Sequence, residues 1–376
     1  MLAITQAMSL ASLEFSLIAI SLLSIIFAIA KPLSSSKILK NICTTALAIL
    51  AVCSFAYYFH IYGFASNGIK LLIAIVTVCV LQLHAAYTTE RIANFSVYFL
   101  ALCSIIGTLF AISAKDFLSL YLAFETISFV GYIAVSLLTK RPFASESAIK
   151  YFVIGGVSSA IMLFGISFIY GASNSIEFSQ IGTSTLATVG IVLFLCGIFF
   201  KITAFPFHFW APDVYSTTSL PTLGIITTLP KIAGLIALAN LLPFIGSNLV
   251  ILVLSFVAIA SMVVGSVGGI FQTHINRILA YSGIANIGFV LALYTAPNFS
   301  TPALYEFIGI YIIGVLFVLT VLLAIQNNTG YDGNLTTLQD LHKTNPMLAS
   351  LLTIALLNIA GIPPLAGFFA KYTIIK

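Results

Sequence analysis

Residues 191–224 read IVLFLCGIFFKITAFPFHFWAPDVYSTTSLPTLG. The opening of this stretch is apolar enough to lie in a bilayer, yet it carries Lys201 and is then broken by Pro206, Pro212 and Pro221. Proline removes a backbone donor and clashes with the preceding helical turn. A helix broken at membrane depth is tolerated only where protein or a wet cavity satisfies the freed carbonyls. Residues 351–376, LLTIALLNIAGIPPLAGFFAKYTIIK, repeat the arrangement, with Gly361, Pro363, Pro364 and Gly367 inside an apolar run and Lys371 just after it. Paired broken helices are the sequence pointer to an ion path in transporters. Kinks that serve packing alone are the plainer alternative.

Working outward, the 376 residues are 60% hydrophobic and 7% charged, with a mean hydropathy of +1.14. Soluble domains carry roughly 25% charged residues, so this chain could not cover a water-facing surface. The same figures exclude disorder, and the lack of a basic patch excludes a nucleic-acid partner. The five cysteines, Cys43, Cys53, Cys79, Cys103 and Cys196, lie in apolar runs without CxxC spacing and read as small buried hydrophobes. The N-terminus lacks a basic region and a small-residue cleavage site, so its first apolar run reads as a retained span.

A helix needs about 20 apolar residues to cross a bilayer. That window gives about twelve spans, near 9–30, 41–62, 69–88, 94–113, 117–138, 147–171, 186–209, 219–242, 248–270, 278–296, 303–325 and 346–375. The expected class is therefore an all-α, multi-pass membrane protein, with lipid as a partner. Connections are short, and the longest, Asn327 to Asn345, reads as a surface loop. The loops after the odd-numbered spans hold Lys31, Lys37, Lys40, Arg91, Lys140, Arg141, Lys150, Arg277 and Lys343, whereas the opposite face holds Lys70 and Lys115. The positive-inside rule places the odd loops on the negative side, cytoplasm or mitochondrial matrix, and the N-terminus on the positive side.

Charge inside the spans is the more specific signal, because Lys or Asp at a span centre costs about 2.5–3.5 kcal/mol on insertion scales. Glu125 lies deep in FLSLYLAFETISFVGYIAVSLL, Lys201 ahead of the first break, Lys231 just after Pro230, and Lys371 after the second break. Burial disfavours the charged form of either group, and pairing restores it. A lysine whose carboxylate can approach or withdraw thus has a proton affinity that switches with conformation. Moving one charge across the membrane potential takes about 2.3 kcal/mol per 100 mV. Such a chain suits a proton pump and equally a Na⁺/H⁺ exchanger. His208, seven residues after Lys201, would share its face on a continuous helix; relay and structural histidine are both open for it. Arg277 reads as an interface anchor. No metal-ligand set, phosphate loop or dinucleotide fingerprint is present in the sequence, so neither metal nor cofactor is expected in this chain.

At these residues a resemblance appears. LYLAFETISFVGYIAV, with the following SESAIKYFVIGGVSSAIMLFGISFIYGAS, resembles two consecutive helices of the antiporter-like membrane subunits of respiratory complex I. FKITAFPFHFWAPDVYSTTSLPTLGIITTLPKIAGL, QTHINRILAYSGIANIGFVL and NIAGIPPLAGFFAKY are similar to three blocks of its subunit 2 (subunit N in bacteria), in the same order. The resemblance implies two inverted repeats of five helices, each with one broken helix and one half-channel. It divides the chain into an N-terminal three-helix segment (1–92), a first repeat (93–245) and a second, incomplete repeat (246–376). It also implies roles: Glu125 and Lys201 as the charge pair that tunes protonation, Lys231 as the linking lysine, and Lys371 as the lysine that communicates with the far half-channel.

The resemblance implies a proton-translocating subunit of NADH:ubiquinone oxidoreductase with other membrane-arm subunits as partners and redox chemistry elsewhere. A cation/proton antiporter subunit and a structural subunit with a vestigial channel are the alternatives. Relatives with the early helices continue for two more spans beyond the last lysine, so a separate chain completing the C-terminus is expected. Composition and the lack of a presequence suit the mitochondrial inner membrane, with the bacterial plasma membrane as the alternative.

Overall fold

A computed structural model describes residues 91–137, 143–182, 184–245, 247–296, 299–329 and 333–376. The first three expected spans lie outside the described residues. Within them, every expected span is a helix: α1 (Arg91–Ser113), α2 (Phe117–Leu137), α3 (Ala144–Ser173), α4 (Thr185–Ile202), α5 (Trp210–Thr217), α6 (Leu220–Leu241), α7 (Asn248–Ile270), α8 (Ile275–Thr295), α9 (Thr301–Thr329), the single turn α10 (Leu341–Thr344), α11 (Pro346–Ala360) and α12 (Ala366–Ile375). The expected span 186–209 is divided into α4 and α5, and 346–375 into α11 and α12, at the prolines that announced the breaks. Apolar side chains cover the outer faces, among them Phe129, Phe152, Phe164, Leu252 and Phe256. They are the faces a bilayer would cover.

The bundle is arranged around α6, which is 83% buried over its apolar window, more than any other long apolar helix described. It packs against α1, α2 and α4 on one side and α9 on the other, while α5 fits between α3 and α8, and α11 and α12 rest on α9. Both breaks end their first half-helix alike. Thr203 (φ 63) follows α4 and Gly361 (φ 81) follows α11, each in the left-handed region. Ala204 N–H bonds the Phe199 carbonyl at 2.8 Å and Ile362 N–H the Leu357 carbonyl at 3.2 Å, the six-to-one bond of a Schellman cap. Gly361 adopts this conformation freely. A β-branched threonine does not, and a residue held there costs on the order of 1–3 kcal/mol. The broken backbone is satisfied by protein: Phe205 N–H donates to Ser261 Oγ of α7 at 3.0 Å, and Gly367 N–H to Asn358 Oδ1 at 2.9 Å.

Connections alternate between the two ends of the bundle as expected. Phe117 N–H bonds the Ile176 carbonyl and Phe178 N–H the Lys115 carbonyl, joining two even-numbered loops. Lys150 and Arg277, expected in two odd-numbered loops, lie within the first two turns of α3 and α8 and meet at Asp213 of α5, at 3.6 and 2.7 Å. Arg277 is thus tied to a partner helix, beyond the anchoring role expected of it. Within the 327–345 stretch, residues 333–345 do more than form a plain loop. Ile275 N–H bonds the Gly333 carbonyl and Leu335 N–H the Thr273 carbonyl, which fixes this stretch to the start of α8.

Helices α3 and α4 approach closely enough that glycine is required. A methyl carbon on Gly165 would come within 2.6 Å of the Gly190 carbonyl oxygen, and one on Gly190 within 2.8 Å of the Gly165 oxygen. Small residues at such contacts are the usual device of membrane helix packing. Replacing Gly190 with Leu is expected to destabilise the bundle by at least the ~1–3 kcal/mol of ordinary overpacking. It should lower the thermal unfolding midpoint in detergent, whereas Gly156→Leu, at an exposed glycine with open space around it, should leave the midpoint unchanged.

Candidate functional site

Glu125 and Ser128 are three residues apart on α2 and so share a face. Lys201, in the last turn of α4, reaches that face. Its Nζ lies 3.1 Å from Glu125 Oε1 and donates to Ser128 Oγ at 2.6 Å. Ser159 of α3 donates to the same Glu125 oxygen at 2.5 Å. The lysine side chain is 2% exposed and the glutamate 16%, so the carboxylate is the more accessible member of the pair. Lys201 also stands in the last turn of α4, at the end of the helix where the dipole favours positive charge. Three helices therefore fix one buried ion pair, and Ser128 and Ser159 take up hydrogen-bonding capacity that would otherwise be left unsatisfied.

Aromatic side chains flank the pair along α2, from Phe117 before Glu125 to Tyr132 after it. Toward one end, Phe117 stands edge-on to Phe178 and Phe194, with ring centroids 4.9 and 4.8 Å away. Toward the other, Tyr151 stacks on Trp210 at 4.1 Å, with Tyr132 edge-on to Tyr151 and Phe200 beside both. Gly155 makes this cluster possible, because a methyl group there would collide with the Tyr132 hydroxyl. Beyond the second cluster lie Lys150, Asp213 and Arg277.

The other expected residues are placed as follows. Lys231 is 2% exposed on α6. Its Nζ lies 3.1 Å from the Tyr311 hydroxyl of α9, and the two polar groups meet over Gly283 of α8, where a methyl carbon would fall 2.6 Å from the ammonium. Lys371 turns back across the second break. Its ammonium donates to the Ala360 carbonyl at 3.0 Å, the free end of α11, and lies 5.0 Å from the centre of the Phe289 ring. It lines a cleft with Asn286, Tyr311, Asn358 and Gly367. His208 is 4% exposed between the rings of Phe205 and Phe209. Because α4 stops at Ile202, the seven-residue spacing does not put His208 on the face of Lys201. Its Nδ1 has no hydrogen-bond partner among the described residues.

Helical spacing from Glu125 could have found Ser128. Ser159, Tyr311 and Asp213 carry no such signal, since they meet the lysines and Arg277 from other helices.

The chain matches the NADH:quinone oxidoreductase/Mrp antiporter transmembrane family over residues 114–376, and it belongs to that family. Among relatives, it is similar to NADH-quinone oxidoreductase subunit N of Rickettsia felis, 32% identical over 96% of this chain and 83% of the relative. Subunit N 1 of Thermodesulfovibrio yellowstonii is 35% identical over 89% of this chain and 77% of the relative. Among solved structures, respiratory complex I from Thermus thermophilus with bound aureothin aligns with a TM-score of 0.81 and 25% identity, over 96% of this chain and 81% of the matched one. The Mrp complex from Dietzia sp. DQ12-45-1b aligns at 0.80 and 20% identity, over 97% and 74% respectively, which is a likeness of fold. The antiporter-like membrane fold is therefore that of this chain. The named relatives are bacterial, so the mitochondrial inner membrane finds no support among them while a bacterial plasma membrane fits. Nor do these comparisons support a separate chain that completes the C-terminus.

Removing one member of a buried ion pair strands the other, at a cost of about 3–5 kcal/mol, whereas removing both is far milder. Glu125→Ala is expected to destabilise the protein by about that amount in denaturant titrations. The double variant Glu125→Ala/Lys201→Met should recover most of the loss. Equal losses in the single and double variants would mean that the two side chains are not coupled.

Proposed function

We propose that the chain is a proton-translocating subunit in the membrane arm of an NADH:quinone oxidoreductase, a multi-pass protein of an energy-converting membrane. Given the bacterial relatives, a bacterial plasma membrane is the fitting location. The observation that carries this reading is the ion pair of Glu125 and Lys201, held at 3.1 Å between two aromatic clusters, with Lys231 and Lys371 further along the bundle. Quinone reduction would take place elsewhere in the assembly, and its energy would reach this chain as movement of helices. Drawing Glu125 away would leave a buried ammonium without its counter-ion, and a lysine so placed gives up its proton. Bringing the carboxylate back would raise the affinity again. The aromatic clusters would keep water from shunting the proton past the pair. The order Glu125, Lys201, Lys231, Lys371 would then be the path, with a half-channel in each of the repeats 93–245 and 246–376. His208 stands as a candidate relay beside the first break.

The likeness of fold to an Mrp complex favours one second reading, a cation/proton antiporter subunit. In that case proton movement would be exchanged for Na⁺ without any redox step.

In membrane vesicles containing the assembled complex, Lys201→Met is expected to abolish or strongly reduce NADH-driven proton pumping while the chain stays inserted. An unchanged proton-to-electron ratio would overturn the pumping role. Redox-independent Na⁺ flux lost in the same variant would establish the antiporter reading.

A further inference from the structure

Lys231 and Lys371 stand on α6 and α12, and among the described residues that line the cleft beside Lys371 there is no carboxylate. Lys231 hydrogen-bonds Tyr311 across 80 residues of sequence, at 3.1 Å. Tyr311 is 8% exposed, and the same residue lines the cleft into which Lys371 projects. Its ring stacks on Phe307, one turn earlier on α9, with centroids 6.0 Å apart and planes 9° from parallel. That contact leaves the hydroxyl as the working end of the side chain.

Two amides complete the cleft. Asn286 is 3% exposed, and its Nδ2 donates to the Ser282 carbonyl at 2.8 Å, yet its Oδ1 has no protein partner among the described residues. Buried acceptors of this kind are normally satisfied by ordered water. Asn358 uses its Oδ1 to cap Gly367 N–H. Among the described residues, the polar side chains that line the cleft with Lys371 are thus a phenol and two amides.

We propose that Tyr311 is a proton-relaying residue, its hydroxyl carrying protons between Lys231 and the cleft of Lys371. This rests on the pumping reading above. In the step, an Nζ–H bond of the Lys231 ammonium breaks as a new O–H bond forms on the phenol oxygen. The phenol's original O–H bond breaks toward the cleft, where the proton passes through water held by Asn286 to the neutral Lys371 amine. Lys231 ends neutral, Lys371 ends charged and Tyr311 is neutral before and after. No electron moves, and the phenol never has to ionise. Rotation of the hydroxyl resets it. Gly283 leaves the room in which ammonium and hydroxyl meet, and any larger residue there would separate them.

The test uses the assembled complex in vesicles, with the proton-to-electron ratio measured in Tyr311→Phe, Tyr311→His and Lys201→Met. Phenylalanine keeps the ring and its stacking on Phe307 and removes only the hydroxyl. Tyr311→Phe is expected to lower the ratio, with the chain present in normal amount in the purified complex. Tyr311→His, which can both accept and donate, is expected to restore a large part of it, a rescue that a purely structural role would not give. A normal ratio in Tyr311→Phe alongside a lowered one in Lys201→Met overturns the relay and leaves the pumping reading intact. Loss in Tyr311→Phe without rescue by histidine also overturns it. A normal ratio in Lys201→Met removes the pumping reading, and the relay with it.

Discussion

A lysine ammonium bonded to a carboxylate inside an apolar bundle sets the terms for everything around it. Taking both charges out of water costs several kcal/mol per ion, and their attraction offsets this only if geometry and further hydrogen bonds are good. In this chain Lys201 gains Ser128 and Glu125 gains Ser159. Those four side chains come from α2, α3 and α4, so the pair requires the three helices to hold a single arrangement. The Gly165–Gly190 contact that draws α3 onto α4 and the glycine beneath Tyr132 both follow from that demand. An ion pair with so little margin is poor glue but a sensitive switch, since a small displacement of one partner changes what the other can hold.

The breaks serve the same demand. A continuous α4 would bury its C-terminal carbonyls in its own next turn. Ending it at Ile202 leaves the negative end of the helix dipole beside Lys201, and ending α11 at Ala360 gives Lys371 a carbonyl to bond. The cost is backbone freed at membrane depth, which Ser261 and Asn358 take up. Beyond the first break, the second half-helix α5 is held in place from both neighbours through Asp213 with Lys150 and Arg277. A broken helix so anchored at its far end can carry its strain at Thr203.

Much of this was legible in the sequence, for reasons that can be named. Span length, the prolines and the expense of buried charge are local properties, and they located the breaks, α6 and all four of the charged residues. The family blocks depend on the same residues and agree with the family model and the relatives. What could not be read depends on contacts between helices. Nothing in the text around Tyr311 or Ser159 points to Lys231 or Glu125, because the partners lie 80 and 34 positions away. The left-handed cap at Thr203 was hidden because threonine stands where a glycine would have signalled it, as Gly361 did at the second break. For His208 the condition of a continuous helix is not met, since α4 stops at Ile202.

The central claim is that the proton held by the Glu125–Lys201 pair changes during turnover. Infrared difference spectroscopy of the assembled complex, taken between the resting state and steady NADH oxidation, reads that change directly. The account predicts a carboxyl or carboxylate band that shifts on turnover, responds to H₂O/D₂O exchange and vanishes in Glu125→Gln. A wild-type spectrum identical to that of Glu125→Gln, recorded while protons are being pumped, would contradict it.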